Sequence, residues 1–258
     1  VSEWIFELGG EQPQLAQAEL TELLATTDCE LAVTRQNELQ LRCILARPVP
    51  PGLLARLGMV RSGGVLAATG SLEELEAAAT VINLDGARFA VRCAPGALEL
   101  QEVNKRLGAI LAKHGRVDLE QPTIIVRVFQ GEKLQLLLER EATGYRRCLK
   151  HHLNRRPRFA PVSLPPRLAR AMVNLALPSG VGKLLDPFCG TGGLLIEAID
   201  CGLEASGSDI DEKMIDATRE NLRHFDFTAT LEQGDAASAV QQMRPVAIAT
   251  DPPYGRSA

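Results

Sequence analysis

Lys183-Leu184-Leu185-Asp186-Pro187-Phe188-Cys189-Gly190-Thr191-Gly192-Gly193 carries the strongest structural signal in this chain of 258 residues. The apolar run ending in Asp186 predicts a short strand, the glycines predict a tight turn, and a helical pattern resumes at Leu194. Strand, glycine turn and helix in that order make the first βα unit of a nucleotide-binding Rossmann sheet. Glycine serves there because it tolerates positive φ and lets a backbone approach a ligand closely. No G-x-x-x-x-G-K-S/T occurs, which excludes a P-loop phosphate cradle. Leu195 stands where a dinucleotide site has its third glycine.

Three further strand ends follow in order. Glu204 to Ser208 predicts a second strand delivering Asp209, 23 residues after Asp186, where a ribose hydroxyl finds an acidic partner. Asp211 is the weaker candidate for that role. Ala229 to Glu232 predicts a third strand, and Gly234-Asp235 beyond it is placed to meet an adenine amino group. Val246 to Thr250 predicts a fourth, ending in Asp251-Pro252-Pro253-Tyr254. Asp186 ahead of the glycine turn suits a cofactor carrying an ammonium group better than one carrying pyrophosphate.

The last four residues have a chemical logic. An exocyclic amine on a nucleobase is a poor nucleophile because its lone pair is delocalised into the ring. The Asp251 carboxylate and the Pro252 carbonyl can accept its two N–H bonds and turn the lone pair toward an electrophilic methyl. The prolines stiffen that carbonyl, and Tyr254 offers a stacking face for an extruded base. Such a site works by positioning and electrostatics. The plainer alternative is a strand-ending Pro-Pro turn with a surface tyrosine. Cys189, inside the glycine turn with no basic partner beside it, reads as a packing residue.

Upstream, Trp4 to Leu8 predicts a strand, and Pro13 opens a helix whose Leu15, Ala18, Leu23 and Leu24 share a face. Glu38 to Leu45 alternates as a half-buried strand, and Arg47 to Gly52 breaks the pattern before a short helix. Ser71-Leu72-Glu73-Glu74 has the spacing of a capping box. Arg88 to Cys93, Thr123 to Phe129 and Leu134 to Glu139 predict strands, and Glu102 to His114 a helix closed by Gly115. Pro165 and Pro166 open a helix with Leu168, Met172 and Leu175 on one face.

Hydrophobic residues make up 45% and charged residues 23%, the balance of a globular protein. Six cysteines without C-x-x-C or metal-ligand spacing predict reduced thiols, no metal and a cytoplasmic setting. The apolar runs are too short to span a membrane, and the start lacks the pattern of a signal peptide. The net charge of −4 is unevenly spread: Ala142 to Leu185 holds no acidic residue and carries +9. Positive potential is therefore concentrated where a polyanion can dock, although a solvated linker would have the same composition. His151 and His152 in that segment read as solvated or phosphate-contacting.

Asp186 to Gly193 together with Asp251 to Gly255 resembles the class I amino-methyltransferases. Arg156 to Leu175 narrows this, being similar to the stretch that leads into the catalytic domain of THUMP-containing tRNA guanosine-N2-methyltransferases acting at position 10. Glu7-Leu8-Gly9-Gly10-Glu11 and Leu15 to Leu20 resemble their N-terminal ferredoxin-like domain. Residues 70–147, with Leu107-Gly108 and Asp118-Leu119 to Pro122, resemble their THUMP module. The resemblance implies an α/β chain with a ferredoxin-like domain over 1–68, a THUMP module over 69–147, a basic linker over 148–160 and a Rossmann-like methyltransferase domain over 161–258. It implies S-adenosylmethionine as cofactor and guanine N2 of tRNA as methyl acceptor. Asp251, Pro252 and Tyr254 would be catalytic. Asp186, Phe188, Gly190, Gly192, Asp209 and Asp235 would hold the cofactor, with Ser163 near its methionine end. Arg146, Arg147, Lys150, Arg155, Arg156 and Arg158 would contact RNA. Some relatives need a small activating partner. The alternatives are an amino-methyltransferase for DNA, rRNA or protein amides, and a non-catalytic tRNA-binding fragment. A sheet of this type has seven strands, and only four precede Ala258, so the expectation is a truncated domain with impaired catalysis.

Overall fold

The computed structural model describes residues 1–27, 31–93, 100–159 and 163–253. In chain order the elements are β1 (Ser2–Leu8), α1 (Pro13–Ala25), β2 (Leu31–Asn37), β3 (Gln40–Leu45), α2 (Leu53–Arg56), β4 (Val60–Gly70), α3 (Leu72–Ala79) and β5 (Arg88–Cys93). There follow α4 (Leu100–Leu111), β6 (Arg116–Val117), β7 (Ile124–Gln130) and β8 (Leu134–Glu139). After two 3-10 turns, Arg147–His151 and Leu153–Arg155, come α5 (Pro166–Ala176), β9 (Lys183–Asp186), α6 (Gly193–Asp200) and β10 (Glu204–Asp209). The chain continues through α7 (Glu212–His224), β11 (Thr230–Gln233), α8 (Ala236–Met243) and β12 (Ala247–Ile248). No helix among the described residues is long and apolar enough to cross a membrane.

Two compact units divide the chain. One comprises Val1–Glu7, Cys29–Pro51 and Ser62–Ala142, the other Leu8–Asp28, Gly52–Arg61 and Thr143–Ala258. The first is built on an eight-stranded sheet in the order β2-β3-β1-β4-β8-β7-β5-β6. Its β3 buries Leu41, Cys43 and Leu45 and exposes Arg42 and Ile44, the alternation expected of a strand with one covered face. Leu75 and Ala79 of α3 and Val103, Leu107 and Leu111 of α4 share a core with Phe89, Val91, Ile124, Val126 and Val128. The capping box at Ser71 forms: Ser71 Oγ accepts the Glu74 N–H, and Glu74 accepts the Ser71 N–H. The strand β4 went unforeseen because its run of Gly, Ser and Ala reads as turn chemistry. Small residues are needed there, since a Cβ on Gly63 would fall 2.3 Å from the Phe6 ring.

The second unit carries a parallel sheet in the order β11-β10-β9-β12. Strand order therefore reverses between β9 and β12, and in open α/β sheets ligands bind in the crevice at such a reversal. Leu184 of β9, Leu194 and Leu195 of α6, and Ala169 and Val173 of α5 lie in one core. The face that α1 buries matches its hydrophobic spacing at Leu23 and Leu24 but not at Leu15 and Ala18, and α5 buries a different face from the one its spacing predicts. On α1 the buried residues are Ala16, Glu19, Leu20, Leu23 and Leu24, with Leu15 and Ala18 only half-buried. On α5 they include Ala169, Arg170, Val173 and Asn174, while Leu168, Met172 and Leu175 are half-buried. The reason is polar pairing: the Glu19 carboxylate accepts the N–H groups of Gly58 and Met59, both at 2.8 Å, and Asn174 Nδ2 at 2.7 Å. These hydrogen bonds offset the cost of burying the Glu19 carboxylate, whose pKa burial still raises, and hydrophobic periodicity does not register them.

Candidate functional site

Asp186 closes β9 at the reversal point and is only 2% exposed. Its Oδ1 accepts the Thr250 hydroxyl at 2.7 Å and the Phe188 N–H at 3.2 Å. Burial pushes its carboxyl up to about 7, the charges of Asp209 and Asp251 add to the rise, and the two hydrogen bonds oppose it. The site thus holds a dry carboxylic acid whose charged neighbours are themselves acidic, an arrangement that a cation would relieve.

The glycine turn is pinned from three sides. Gly190 has φ 51° and donates its N–H to Asp209 Oδ2 at 2.9 Å, and the space that a Cβ on it would enter is open. Gly192, at φ 82°, starts α6, and a Cβ there would come within 2.9 Å of Thr218 Cγ2. The Cys189 N–H reaches the Ser208 carbonyl at 2.9 Å. The Thr218 hydroxyl donates to the Gly190 carbonyl at 2.7 Å, and Asn221 Nδ2 to the Thr191 carbonyl at 2.8 Å. Cys189 is buried and burial raises its thiol to about 12, as befits a packing residue. Ser163 Oγ lies 3.3 Å from Thr191 Oγ1.

Asp209 ends β10, and its other oxygen accepts the Asp211 N–H at 3.0 Å. Asp211 itself caps α7 through the Lys213 N–H at 2.9 Å, which accounts for its acidic side chain. Gly234 donates to the Asp209 carbonyl at 3.0 Å and so sets the end of β11 beside it. Asp235 is exposed, caps α8 through Ser238 N at 3.0 Å, and accepts the Ser238 hydroxyl at 2.7 Å. These Ser238 bonds hold its carboxyl below the usual range. Phe188 and Ile210 flank these carboxylates with apolar side chains 41% and 76% exposed, and sequence reading missed the second. Past β12, Asp251 is half-buried and Pro252 is exposed. Tyr254 lies outside the described residues.

The basic segment separates into two kinds of residue. Arg146, Arg147, Lys150, Arg155 and Arg158 are exposed, with Arg147 paired to Asp200 at 2.7 Å and Arg158 to Glu220 at 2.8 Å. Arg156, expected on the RNA-facing surface, is instead buried, its Nε donating to the His151 carbonyl at 3.0 Å. His151 is likewise internal: its Nδ1 lies 2.9 Å from Glu197 Oε1, and its ring meets Phe225 edge-on. Arg170 completes this group by donating to Glu197 at 2.7 Å and pairing with Asp200. His151, Glu197 and Asp200 gather closely enough to suit a metal, but Arg170 bridges both carboxylates and supplies the positive charge. Thr218, Asn221 and Thr250 went unnoticed in the sequence, since each is a neutral residue acting on backbone or carboxylate from a distant element.

With this geometry in view, comparisons place the chain among known proteins. The profile of the RMKL-like methyltransferase domain matches residues 154–258. The chain is 33% identical over 264 residues to a tRNA (guanine(10)-N2)-dimethyltransferase of Methanothermobacter thermautotrophicus, covering 97% of this chain and 77% of that protein. It is also 33% identical over 267 residues to the protein of the same name from Pyrococcus abyssi, covering 97% and 78%. The crystal structure of TrmN from Thermus thermophilus superposes with a TM-score of 0.59 at 26% identity, over 98% of this chain and 80% of that one.

Proposed function

The chain belongs to the tRNA (guanine(10)-N2)-dimethyltransferase family, and from that premise we propose that it methylates the exocyclic N2 of guanosine at position 10 of tRNA with S-adenosylmethionine. The observation that supports this most is the reversal of strand order between β9 and β12, where Asp186 lies buried at one strand end and Asp251 follows the other. The residues present fit the cofactor: an uncompensated buried acid stands ready for an ammonium group, and the backbone at Gly190 opens onto free space. When bound, S-adenosylmethionine supplies a methyl group made electrophilic by its sulfonium.

The chain's own residues then have distinct tasks. Asp186 neutralises the ammonium and Asp209 accepts from the ribose hydroxyls. Gly190 and Gly192 permit close approach, with Ser163 at the methionine end. Phe188 and Ile210 give the adenine apolar cover, and Asp235 meets its amino group with the lone pairs that capping leaves over. Asp251 and the Pro252 carbonyl accept the two N–H bonds of the guanine amine, and Tyr254 stacks on the base. Asp251 would take the proton that N2 gives up on gaining the methyl, while the sulfonium C–S bond would break and leave a neutral thioether, so atoms and charge balance without a covalent enzyme intermediate.

For RNA, we read residues 1–68 as a ferredoxin-like domain and 69–147 as a THUMP module that grips the tRNA. Arg146, Arg147, Lys150, Arg155 and Arg158 then contact its phosphates. A cytoplasmic setting accords with the free thiols. The test is transfer of labelled methyl to an unmodified tRNA transcript, with the product nucleotide mapped by mass spectrometry. The expected product is N2-methylated guanosine at position 10, and Asp251→Ala lowers kcat by roughly two to three orders of magnitude. Label on DNA or protein with none on tRNA would sink the reading.

A further inference from the structure

Asn221 is fully buried on α7 and joins two backbone segments that are distant in sequence. Its Nδ2 donates to the Thr191 carbonyl in the glycine turn at 2.8 Å and to the Arg158 carbonyl at 2.7 Å. Its Oδ1 accepts the Arg158 N–H at 2.9 Å. One amide therefore holds both backbone polar groups of Arg158 and, with the same nitrogen, the turn assigned above to the cofactor. The Arg158 side chain points the other way, exposed and paired with Glu220, the residue that precedes Asn221. An ion pair so exposed is weak and exchanges readily for a phosphate.

We propose that Asn221 is a positioning residue that couples engagement of the basic segment by tRNA to the shape of the cofactor turn, an inference that rests on the functional reading above. Phosphate contacts at Arg158 fix a backbone whose two polar groups end on Asn221. Fixing Asn221 fixes the Thr191 carbonyl, and the cofactor then meets a turn already ordered. The coupling is reciprocal, so the cofactor strengthens tRNA binding by the same factor.

The experiment uses S-adenosylhomocysteine, which cannot react, and titrates it into the full chain with and without saturating unmodified tRNA. The wild type is expected to bind it at least about fivefold more tightly with tRNA present. Asn221→Asp keeps the acceptor and loses both donations, and Asn221→Ala loses all three bonds. Each should bring that ratio to within about twofold of one, while tRNA affinity without cofactor shifts by less than about threefold, because the exposed cations are untouched. A merely structural role would lower both affinities and the melting temperature and leave the ratio alone. Wild type that binds both ligands independently, or variants with the wild-type ratio, overturns the inference. Wild type that binds neither ligand overturns the functional reading and this inference with it. Where a variant fails to fold, hydrogen exchange of residues 187–193 in the wild type decides: tRNA alone should slow it, and unchanged exchange refutes the coupling.

Discussion

Asp186 gives the candidate site a titration near neutrality. Its folded carboxyl stands at about 7 against an ordinary 3.8, with burial the largest cause. The folded protein therefore holds this proton over a range where the unfolded chain has released it. The stabilising contribution is complete at low pH and is lost as pH rises through about 7. Asp186→Asn keeps an acceptor for Thr250 and Phe188 and has no proton to lose. Its melting temperature relative to wild type should thus climb between pH 5 and pH 8; a constant difference would contradict the assignment. A cationic cofactor prefers the ionised acid, so its affinity should fall by up to about tenfold per pH unit below 7 in wild type and stay flat in the variant, as calorimetry would show. The acids of this site were legible because each falls at the end of a recognisable strand. Thr218 and Asn221 were not, because their donors come from a helix face that spacing alone reads as ordinary packing.

Helices α5 and α6 and the 3-10 turn at Arg147–His151 are joined by buried charge rather than by apolar stripes alone. Arg170 and Glu197 are both fully buried, and Glu197 also holds His151. Although burial would raise the Asp200 carboxyl, Arg170 and Arg147 hold it below its usual range. Removing one member leaves its partners charged and dry. Arg170→Met should therefore cost about 3 to 5 kcal/mol in urea denaturation, with much of it recovered by adding Glu197→Leu. A loss under about 1 kcal/mol would show that the group is solvated. The existence of α1 and α5 was readable from their proline starts and periodicity, and that of α6 from the glycine turn before it, but the inward faces of α1 and α5 were readable only in part. Arg170, Asn174 and Glu19 count as outward residues until their partners, far away in the chain, are known.

Charge across the whole chain is segregated, and the tRNA contact proposed above rests on the exposed cations of the basic segment. Lys150→Glu with Arg155→Glu should weaken tRNA binding and reduce the salt dependence of its logarithm by about one for each lost phosphate contact. Filter binding over a salt series measures both. Arg156→Gln, which alters a buried guanidinium, should lower the melting temperature and leave the salt slope unchanged; a reduced slope would return Arg156 to the RNA surface. The sequence showed the Rossmann half through its four strand ends, yet it concealed that α1 and Gly52–Arg61 pack with that half. Nothing in an amphipathic pattern says which of two cores a helix joins. The bond between Glu19 and Asn174 spans 155 residues. On a ribosome adding about 5 to 20 residues per second, α1 emerges roughly 8 to 30 s before the partner that completes its burial. Through that interval its apolar face is a client for chaperones, and the rate of translation becomes a determinant of yield.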